Sequence, residues 1–206
     1  MRTITCITMD LTTHCDRRCP NCCAGVGINR KLQHHPWEYF ERVAPFIYGI
    51  ERVNLTGGEP TVHPQFAEFV PRFRALFGCK RLTLSTDGFR VDHYHDLIAR
   101  EFDEVHFSDY QTRPEAVVSL RAMPLKLSVY PAGQDARNFE SRARRGSGKP
   151  CFRGESDTVA YADGKFFPCC VSPGLDHTQG LEPCEGWQEK VQLLDMGCAE
   201  CFFSPA

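Results

Sequence analysis

Three closely spaced cysteines form the first group of residues in this sequence that could do chemistry. Cys15, Cys19 and Cys22 follow a C-x3-C-x2-C pattern in the segment CDRRCPNC. Such spacing lets one loop turn several thiolates toward one centre, as in the protein ligands of iron–sulfur clusters. Three ligands on a four-iron cluster leave one iron open, and an open metal position is where chemistry takes place. The alternative is a structural zinc site, which needs four closed ligands, with Cys23 or His14 as the fourth.

A glycine-rich turn lies about one β-α-β unit after the cysteines. Its residues are Gly57, Gly58, Glu59 and Pro60, at the end of a predicted strand. Alone, the two glycines are typical of an ordinary tight turn. Together with the cysteine motif, the turn resembles the radical S-adenosylmethionine (SAM) superfamily. The resemblance implies that the three cysteines hold a [4Fe–4S] cluster and that the open iron binds the amino and carboxylate groups of SAM. It also implies that Glu59 accepts a hydrogen bond from the SAM ammonium group, helped by the carbonyls of Gly57 and Gly58.

Four polar residues at predicted strand ends lie where the family binds the ribose and carboxylate of SAM. They are Ser85, Asp87, Ser108 and Asp109. Each is equally compatible with a turn residue or a helix cap. The sequence departs from the family in two places. Asn21 precedes the third cysteine, where an aromatic residue is frequent, and Asp87 replaces the asparagine of a frequent T-N-G. Both departures concern the binding of adenine and ribose.

A second set of cysteines lies near the end of the chain. It combines a C-x12-G-x4-C pattern with a final C-x2-C, and its members are Cys151, Cys169, Cys198 and Cys201. The segment between the first two reads as a β-hairpin. Four thiolates also suit structural zinc. The pattern resembles the twitch, or half-SPASM, extension of some radical SAM enzymes, which implies a second, auxiliary [4Fe–4S] cluster on these four residues. Cys170 and Cys184 are left over. Three interpretations stay open: either replaces Cys169 as a ligand, Cys184 caps an iron of the site in one state, or both are structural.

Composition excludes several classes of protein. The chain of 206 residues suffices for one core with a small appendage. Its formal net charge of −2 does not indicate a nucleic-acid surface. No apolar run approaches the ~20 residues that span a bilayer. The first residues lack a secretory pattern, so a cytoplasmic protein is expected. Twelve cysteines in a reducing compartment indicate metal ligation rather than disulfides, although Cys6 and Cys79 stand alone and are expected to be buried.

Strands and helices alternate over the first two thirds of the chain. Periodicity predicts five strands: Thr3–Leu11, Arg52–Thr56, Arg81–Ser85, Glu104–Ser108 and Leu125–Tyr130. It predicts four helices between them: Pro36–Tyr48, Pro64–Phe77, Val91–Phe102 and Pro114–Met123. Pro45 is expected to bend or shorten the first helix, and Pro71 to kink the second.

This alternation requires a parallel sheet with helices outside it. Such sheets bind ligands at the carboxyl ends of their strands, where the cysteine loop and the glycine turn both fall. The predicted fold is therefore α/β, a shortened partial (β/α) barrel of five to six parallel strands with a small C-terminal cysteine-rich β-hairpin extension. Residues 1–133 are assigned to the barrel, residues 134–150 to an arginine-rich linker and residues 151–206 to the auxiliary-cluster domain.

By resemblance, the expected activity is reductive cleavage of SAM to a 5′-deoxyadenosyl radical, which abstracts hydrogen from a substrate. An auxiliary cluster with four cysteine ligands has no open iron, so its expected role is electron transfer. Uptake of an electron from a substrate radical fits net oxidation of a small molecule, as in the twitch-type radical SAM dehydrogenases. The implied electron donor is a flavodoxin or ferredoxin. A strand at the very start leaves no room for a leader-peptide-binding domain, which favours a small molecule over a peptide.

Three alternatives stay open at this point. One is a peptide-modifying radical SAM maturase, and another is an epimerase or isomerase in which a free thiol returns hydrogen. The third is a zinc or iron–sulfur binding module without activity. Oxidation would also require a base near the carboxyl edge of the sheet. The sequence does not choose among five candidates for that base: His14, His63, His106, Tyr110 and Arg113.

Overall fold

The computed structural model describes residues 3–17, 19, 22, 24–26, 30–131, 157–169, 173 and 178–194. The first nine elements are β1 (Cys6–Thr12), α1 (Trp37–Ile47), β2 (Arg52–Gly57), α2 (Phe66–Phe77), β3 (Arg81–Thr86), α3 (His95–Glu101), β4 (Glu104–Asp109), α4 (Pro114–Ala122) and β5 (Lys126–Pro131). A hairpin and a short helix follow: β6 (Thr158–Ala162), β7 (Lys165–Phe167) and α5 (Trp187–Val191). The predicted strands and helices are present, and their ends differ from the prediction by at most four residues.

The strands form one seven-stranded sheet in the order β5-β4-β3-β2-β1-β6-β7. Every neighbouring pair from β5 to β6 is parallel, and β6 and β7 pair antiparallel. The four β-α-β connections from β1 to β5 all step in the same direction. Right-handed crossovers therefore place α1 to α4 on one face of the sheet. The sheet is open, with β5 and β7 as its edges, so the α/β partial barrel predicted from the sequence is confirmed.

The two faces of the sheet differ in chemistry. Residues such as Val53 on β2 and Phe107 on β4 face the helices and join a core that contains Phe40 of α1 and Phe73 of α2. The alternate residues lie on the opposite face, here called the inner face. Its side chains on β1 to β5 are mainly polar, among them Thr8, Asp10, Asn54, Thr83, Ser85, Glu104, His106, Ser108 and Ser128. The inner face therefore suits polar ligands.

The hairpin occupies a position that the sequence pattern did not indicate. The sequence places it outside the β/α pattern, whereas in the structure β6 extends the parallel sheet. β6 pairs with β1 from Thr158 opposite Cys6 to Tyr161 opposite Met9. The predicted turn of the hairpin is present, with positive φ angles of 49° and 82° at its central residues, Asp163 and Gly164. The borders of the predicted linker at 134 and 150 lie outside the described residues, so the division into three domains stays a prediction.

The helices are short, and prolines inside them do not end them at once. α1 contains Pro45 and continues to Ile47, while α2 contains Pro71 and continues to Phe77. The C-cap of α2 is Gly78 with φ +58°, as expected for a glycine that terminates a helix. Within the part of the chain that the structure describes, the helices lack the length and apolar character of a membrane span.

Candidate iron–sulfur and SAM site

The cysteine loop leaves β1 at the carboxyl edge of the sheet. Cys15, Cys19 and Cys22 are half-buried free thiols. The start of the loop is fixed by Thr13, whose N–H donates to Gln33 O at 2.9 Å and whose hydroxyl donates to Lys31 O at 2.7 Å. These bonds tie the segment that leaves β1 to residues 31–33, which follow the cysteine loop. They lie beside Cys15, the first predicted ligand.

The glycine turn contacts the first residues of the loop directly. Gly58 donates its N–H to Thr12 O at 2.7 Å, and Glu59 donates its N–H to His14 O at 2.9 Å. Gly57 has φ +136°, and a Cβ added there would lie 2.0 Å from Thr12 O. A Cβ on Gly58 would lie 2.1 Å from His14 O. Both positions require glycine because two backbones touch there.

We expect Gly58→Ala to lower the amount of iron bound after anaerobic reconstitution. The added methyl group would lie 2.1 Å from His14 O and 2.9 Å from Cys15 Cβ, so it must displace the residues beside the first ligand. Gly49→Ala is the control, because nothing lies within 4 Å of a Cβ at Gly49, so the change there imposes only the backbone strain of a φ of +83°. Equal iron loss in both variants would show that contact with the cysteine loop is not the cause.

A buried carboxylate joins the ends of β2 and β3. Glu59 is 1% exposed. Its Oε1 accepts from Thr61 N–H at 3.0 Å and from the Thr61 hydroxyl at 2.6 Å, and its Oε2 accepts from Asp87 N–H at 2.8 Å. The Thr86 hydroxyl lies 2.8 and 2.9 Å from the two oxygens. Burial raises the pKa of Glu59, and the donors oppose that shift because they favour the ionised form.

This arrangement adds a structural role to Glu59. A carboxylate has about four lone-pair positions, and protein donors already engage both oxygens. The contact with the SAM ammonium group therefore stays a prediction. Pro60 is buried and begins a 3₁₀ turn, Pro60–Val62, that leads the chain away from the edge.

A network of aspartates and arginines lies beside the first cysteine. The Asp87 carboxylate accepts from Arg113 Nη1 at 2.5 Å and lies 4.0 Å from Arg17 Nε, and Arg113 also pairs with Asp16. Burial, and then the charges of neighbouring carboxylates, raise the pKa of Asp87 to about 8, against the effect of the two arginines. Ligand atoms of Cys15, Asp16 and Asp87 lie within 4.8 Å of one another. The network thus ties the cysteine loop to the ends of β3 and β4.

The donor set fits the predicted iron–sulfur cluster. Cys19 and Cys22 lie outside the tight group around Cys15. Thiolates on a four-iron cluster bind different irons, so they need not converge like the ligands of a single ion. Burial raises the pKa of Cys15 to about 12, so a bound metal must displace its proton. His14, one candidate for a fourth zinc ligand, stacks on His34 with ring centroids 4.2 Å apart. The other candidate, Cys23, lies outside the described residues.

The remaining predicted SAM contacts occupy two kinds of position. Ser85 and Ser108 lie on the inner face, where Ser85 donates to Asn54 Oδ1 at 3.1 Å. Asp87 lies in the turn after β3, and Asp109 is the last residue of β4. Their Oδ1 atoms accept a backbone N–H from two residues ahead, at 3.1 and 2.8 Å respectively. All four lie near the edge that carries the cysteine loop, and their contacts with SAM stay predictions.

Among the predicted auxiliary ligands, the structure describes Cys169, which is buried two residues after β7. Cys184, left over from the pattern, is half-buried and accepts from Lys190 Nζ at 3.7 Å. The other cysteines of the tail that were considered as ligands lie outside the described residues: Cys151, Cys170, Cys198 and Cys201. The auxiliary cluster therefore stays a prediction.

A buried arginine that the sequence did not single out fastens the hairpin to the cysteine loop. Arg30 donates to Asp163 through Nε at 2.8 Å and Nη2 at 3.0 Å, and its Nη2 lies 2.5 Å from Asp10. Its Nη1 donates to Ala24 O at 3.2 Å. Arg30 thereby ties the segment that follows the cysteine loop both to β1 and to the turn between β6 and β7. No local spacing rule connects these positions, so sequence reasoning missed them.

Two of the five candidate bases, His63 and Arg113, are unsuited to that role. The buried His63 uses both ring nitrogens, because Nε2 bonds to a backbone carbonyl at 3.0 Å and Nδ1 accepts a backbone N–H at 3.1 Å. Arg113 is bonded to two aspartates. The Arg17 guanidinium lies over the ring of Tyr110, 3.6 Å from its centroid, and Tyr110 stays a candidate together with His14 and His106.

Comparison with known families identifies the superfamily of the chain. The family model described as the Radical SAM superfamily matches residues 9–117, more than half of the chain. The chain belongs to the radical SAM superfamily. The resemblance drawn from the cysteine and glycine motifs is thus confirmed at the level of the superfamily, which implies a [4Fe–4S] cluster and SAM.

Radical SAM relatives with a named reaction match only part of the chain. A GTP 3′,8-cyclase of Heliobacterium modesticaldum is 32% identical over 114 residues, which are 53% of this chain and 35% of the relative. A GTP 3′,8-cyclase of Geobacter sulfurreducens is 33% identical over 92 residues, which are 42% of this chain and 28% of the relative. The chain thus spans about a third of the length of these curated relatives.

Solved structures share the radical SAM fold over nearly the whole chain. The complex of BtrN with AdoMet and 2-DOIA matches 98% of this chain and 92% of its own, with a TM-score of 0.70 and 10% identity. Streptococcus suis SuiB bound to S-adenosylmethionine matches 98% of this chain and 69% of its own, with a TM-score of 0.54 and 12% identity. At such low identity these likenesses show the fold alone.

Proposed function

We propose that this radical SAM enzyme catalyses the net two-electron oxidation of a small molecule, with an auxiliary [4Fe–4S] cluster as the electron acceptor. The observation that carries the proposal is the position of Cys169. This residue is buried just after a hairpin whose first strand pairs with β1, and β1 leads into the first cysteine loop. Proposed ligands of both clusters are thereby anchored to one sheet.

The chain itself supplies geometry for this chemistry. When bound, SAM and its cluster supply a 5′-deoxyadenosyl radical that removes a hydrogen atom from the substrate. Glu59 holds the ends of β2 and β3 in register, and Arg113 holds the cysteine loop against β3 and β4. Arg30 holds the hairpin against the same loop. An auxiliary cluster on four cysteines has no open iron, which favours electron transfer over substrate binding.

The fold is compatible with a small molecule or a peptide as substrate. BtrN was solved with AdoMet and 2-DOIA, and Streptococcus suis SuiB with the precursor peptide SuiA. We favour a small molecule. A flavodoxin or ferredoxin as electron donor and a cytoplasmic location complete the proposal.

Radical cyclisation of a nucleotide is the second candidate function. It is favoured by the similarity to GTP 3′,8-cyclases. A triphosphate is usually bound by several cationic side chains. On the described part of the inner face, however, Lys126 is paired with Glu104, and Arg52 donates to Cys6 Sγ at 3.1 Å. Formation of 5′-deoxyadenosine that depends on added GTP would favour this second function.

Replacing two proposed auxiliary ligands separates hydrogen abstraction from oxidation. With a deuterated substrate found by screening, the double variant Cys198→Ala and Cys201→Ala is expected to cleave SAM and transfer deuterium into 5′-deoxyadenosine. It is expected to form no oxidised product, because the electron acceptor is lost. Product and 5′-deoxyadenosine are both measured by mass spectrometry. Cys184→Ala, a change at a tail cysteine outside the motif, is the matched control and should behave as the parent.

Circular dichroism must first show that the double variant folds like the parent, because metal ligands also stabilise a fold. A folded double variant that forms product at the parental rate would refute the acceptor role. A structural cluster or zinc in the tail would then be the better assignment.

A further inference from the structure

A polar cluster on the inner face of β4 and β5 borders Ser85, one of the predicted SAM contacts. Alternation along β4 turns Glu104 and His106 to the inner face. Their side chains are 7% and 24% exposed. In the parallel register Lys126 lies opposite Glu104, and Ser128 lies opposite His106. These four residues form a connected group that no motif of the sequence explains.

The carboxylate of Glu104 fixes the ring of His106. Its Oε1 accepts from Ser128 Oγ at 2.9 Å and from Lys126 Nζ at 3.0 Å, and it lies 3.1 Å from His106 Nε2. Burial raises the pKa of Glu104, but the hydrogen bonds from Lys126 and Ser128 outweigh it and hold the pKa below its usual range. An ionised carboxylate only accepts hydrogen bonds, so Nε2 of the imidazole must carry the hydrogen.

The other ring nitrogen of His106 is therefore an acceptor. Burial lowers the pKa of His106 and outweighs the opposing effect of Glu104, while the charges of Arg52 and Lys126 also lower it. The ring is thus neutral near pH 7, with one donor and one acceptor nitrogen. Among the described residues, its hydrogen bond is the one from Nε2 to Glu104, so Nδ1 is available to a ligand.

The surroundings of His106 suit a neutral ligand that carries hydroxyl groups. Its neighbours in register are Ser85 on β3 and Ser128 on β5, both hydroxyl residues. Lys126 and Glu104 form an ion pair and offset each other, and the charge of Arg52 also acts on the ring. Hydroxyl and imidazole groups bind and orient an alcohol, whereas a phosphate would need unpaired cations.

The position of His106 along β4 sets its distance from the edge where SAM is predicted to bind. His106 precedes Ser108 by two residues and Asp109, the last residue of β4, by three. At a rise of about 3.3 Å per residue, it lies about 7–10 Å below the carboxyl edge of the sheet.

We propose that His106 accepts the hydroxyl proton of an alcohol substrate and that Glu104 positions it for this role. The inference rests on the proposed oxidation. In the balanced step, the alcohol carbon loses a hydrogen atom to the 5′-deoxyadenosyl radical, and the alcohol oxygen loses a proton to His106 Nδ1. One electron passes to an iron–sulfur centre. The carbon–oxygen single bond becomes the double bond of a ketone, and His106 later releases its proton to solvent.

The first test needs no substrate. Nitrogen NMR of ¹⁵N-labelled protein with its clusters in place is expected to show His106 with hydrogen on Nε2 and a bare Nδ1. Glu104→Gln is expected to mix the two tautomers, because an amide can either donate or accept. A His106 ring that carries its hydrogen on Nδ1 in the parent protein at pH 7 would overturn the proposal.

The second test uses a panel of small neutral polyols deuterated at their carbinol carbons. At least one is expected to be converted to a ketone. With that compound, His106→Gln should still transfer deuterium to 5′-deoxyadenosine but form ketone at least about 100-fold more slowly, the usual contribution of a general base. His93→Gln, the same change at an exposed residue before α3, should match the parent.

The outcomes separate the inference from the function on which it rests. Ketone formed by His106→Gln at the parental rate overturns the assignment of His106 alone. A parent protein that forms no ketone from any alcohol overturns the proposed function, and the assignment of His106 falls with it. SAM cleavage that GTP stimulates and no alcohol stimulates would do the same and favour the nucleotide reaction.

Discussion

Replacement of any one of Cys15, Cys19 and Cys22 by alanine is expected to abolish SAM cleavage. Each change removes a thiolate from the cluster that must pass an electron to SAM, while the tail cysteines are left intact. If the tail holds a second cluster, about half of the iron should stay bound. The measurements are methionine and 5′-deoxyadenosine released after chemical reduction, together with an iron assay.

Cys79→Ala is the matched control for these variants. Cys79 is 5% exposed and packs within the hydrophobic core, two residues before β3 begins and therefore at the edge of the sheet opposite the first cysteine loop. Its replacement should lower stability but preserve SAM cleavage per folded molecule. Cleavage at the parental rate in a Cys15, Cys19 or Cys22 variant would contradict the assignment of that cysteine as a ligand.

Glu59→Ala is expected to lower both stability and SAM affinity, with the cluster ligands unchanged. The variant leaves the buried N–H of Asp87 and the hydroxyl groups of Thr61 and Thr86 without their acceptor. Hydrogen bonds to a charged group contribute about 1.5–3 kcal/mol each. A net loss of about 3 kcal/mol would lower the thermal midpoint of a chain this size by about 6–12 °C. Calorimetry and a SAM titration measure the two effects.

Glu51→Ala provides the comparison for this prediction. Glu51 is about half exposed and pairs with Arg81 on the surface at 2.9 Å, and exposed pairs contribute about 0–1 kcal/mol. A Glu59→Ala protein that keeps the parental SAM affinity, and melts no earlier than Glu51→Ala, would refute the role of Glu59 in joining β2 to β3.

Features that depend on neighbouring residues could be predicted from the sequence. The cysteine loop and the Gly57–Gly58 turn are short patterns, and each follows a strand with a clear periodicity. Parallel β-α-β topology then brings all strand ends to one edge, so the common location of these motifs follows without knowledge of the structure. The buried positions of Cys6 and Cys79 were predicted on the same basis.

Contacts between distant segments could not be predicted in this way. Arg30 meets Asp10 and Asp163, but arginines and aspartates are common on surfaces and their spacing follows no helix or strand period. The pairing of Arg113 with Asp16 likewise joins two loops through charge alone. Periodicity identified β6 as a strand, but it carries no information about the strand beside which β6 lies.

The pairing of β6 with β1 also has a consequence for biosynthesis. One edge of β1 is covered by β2, but the part of the other edge from Cys6 to Met9 pairs with β6, and Thr158 of β6 leaves the ribosome about 150 residues after Cys6. At about 5–20 residues per second, that edge stays open for about 8–30 s. An unpaired strand edge is a template for aggregation, and parallel pairing over such a separation is slow. Nascent chains should therefore depend on chaperones during this interval, and slower growth at low temperature should increase the yield of folded protein.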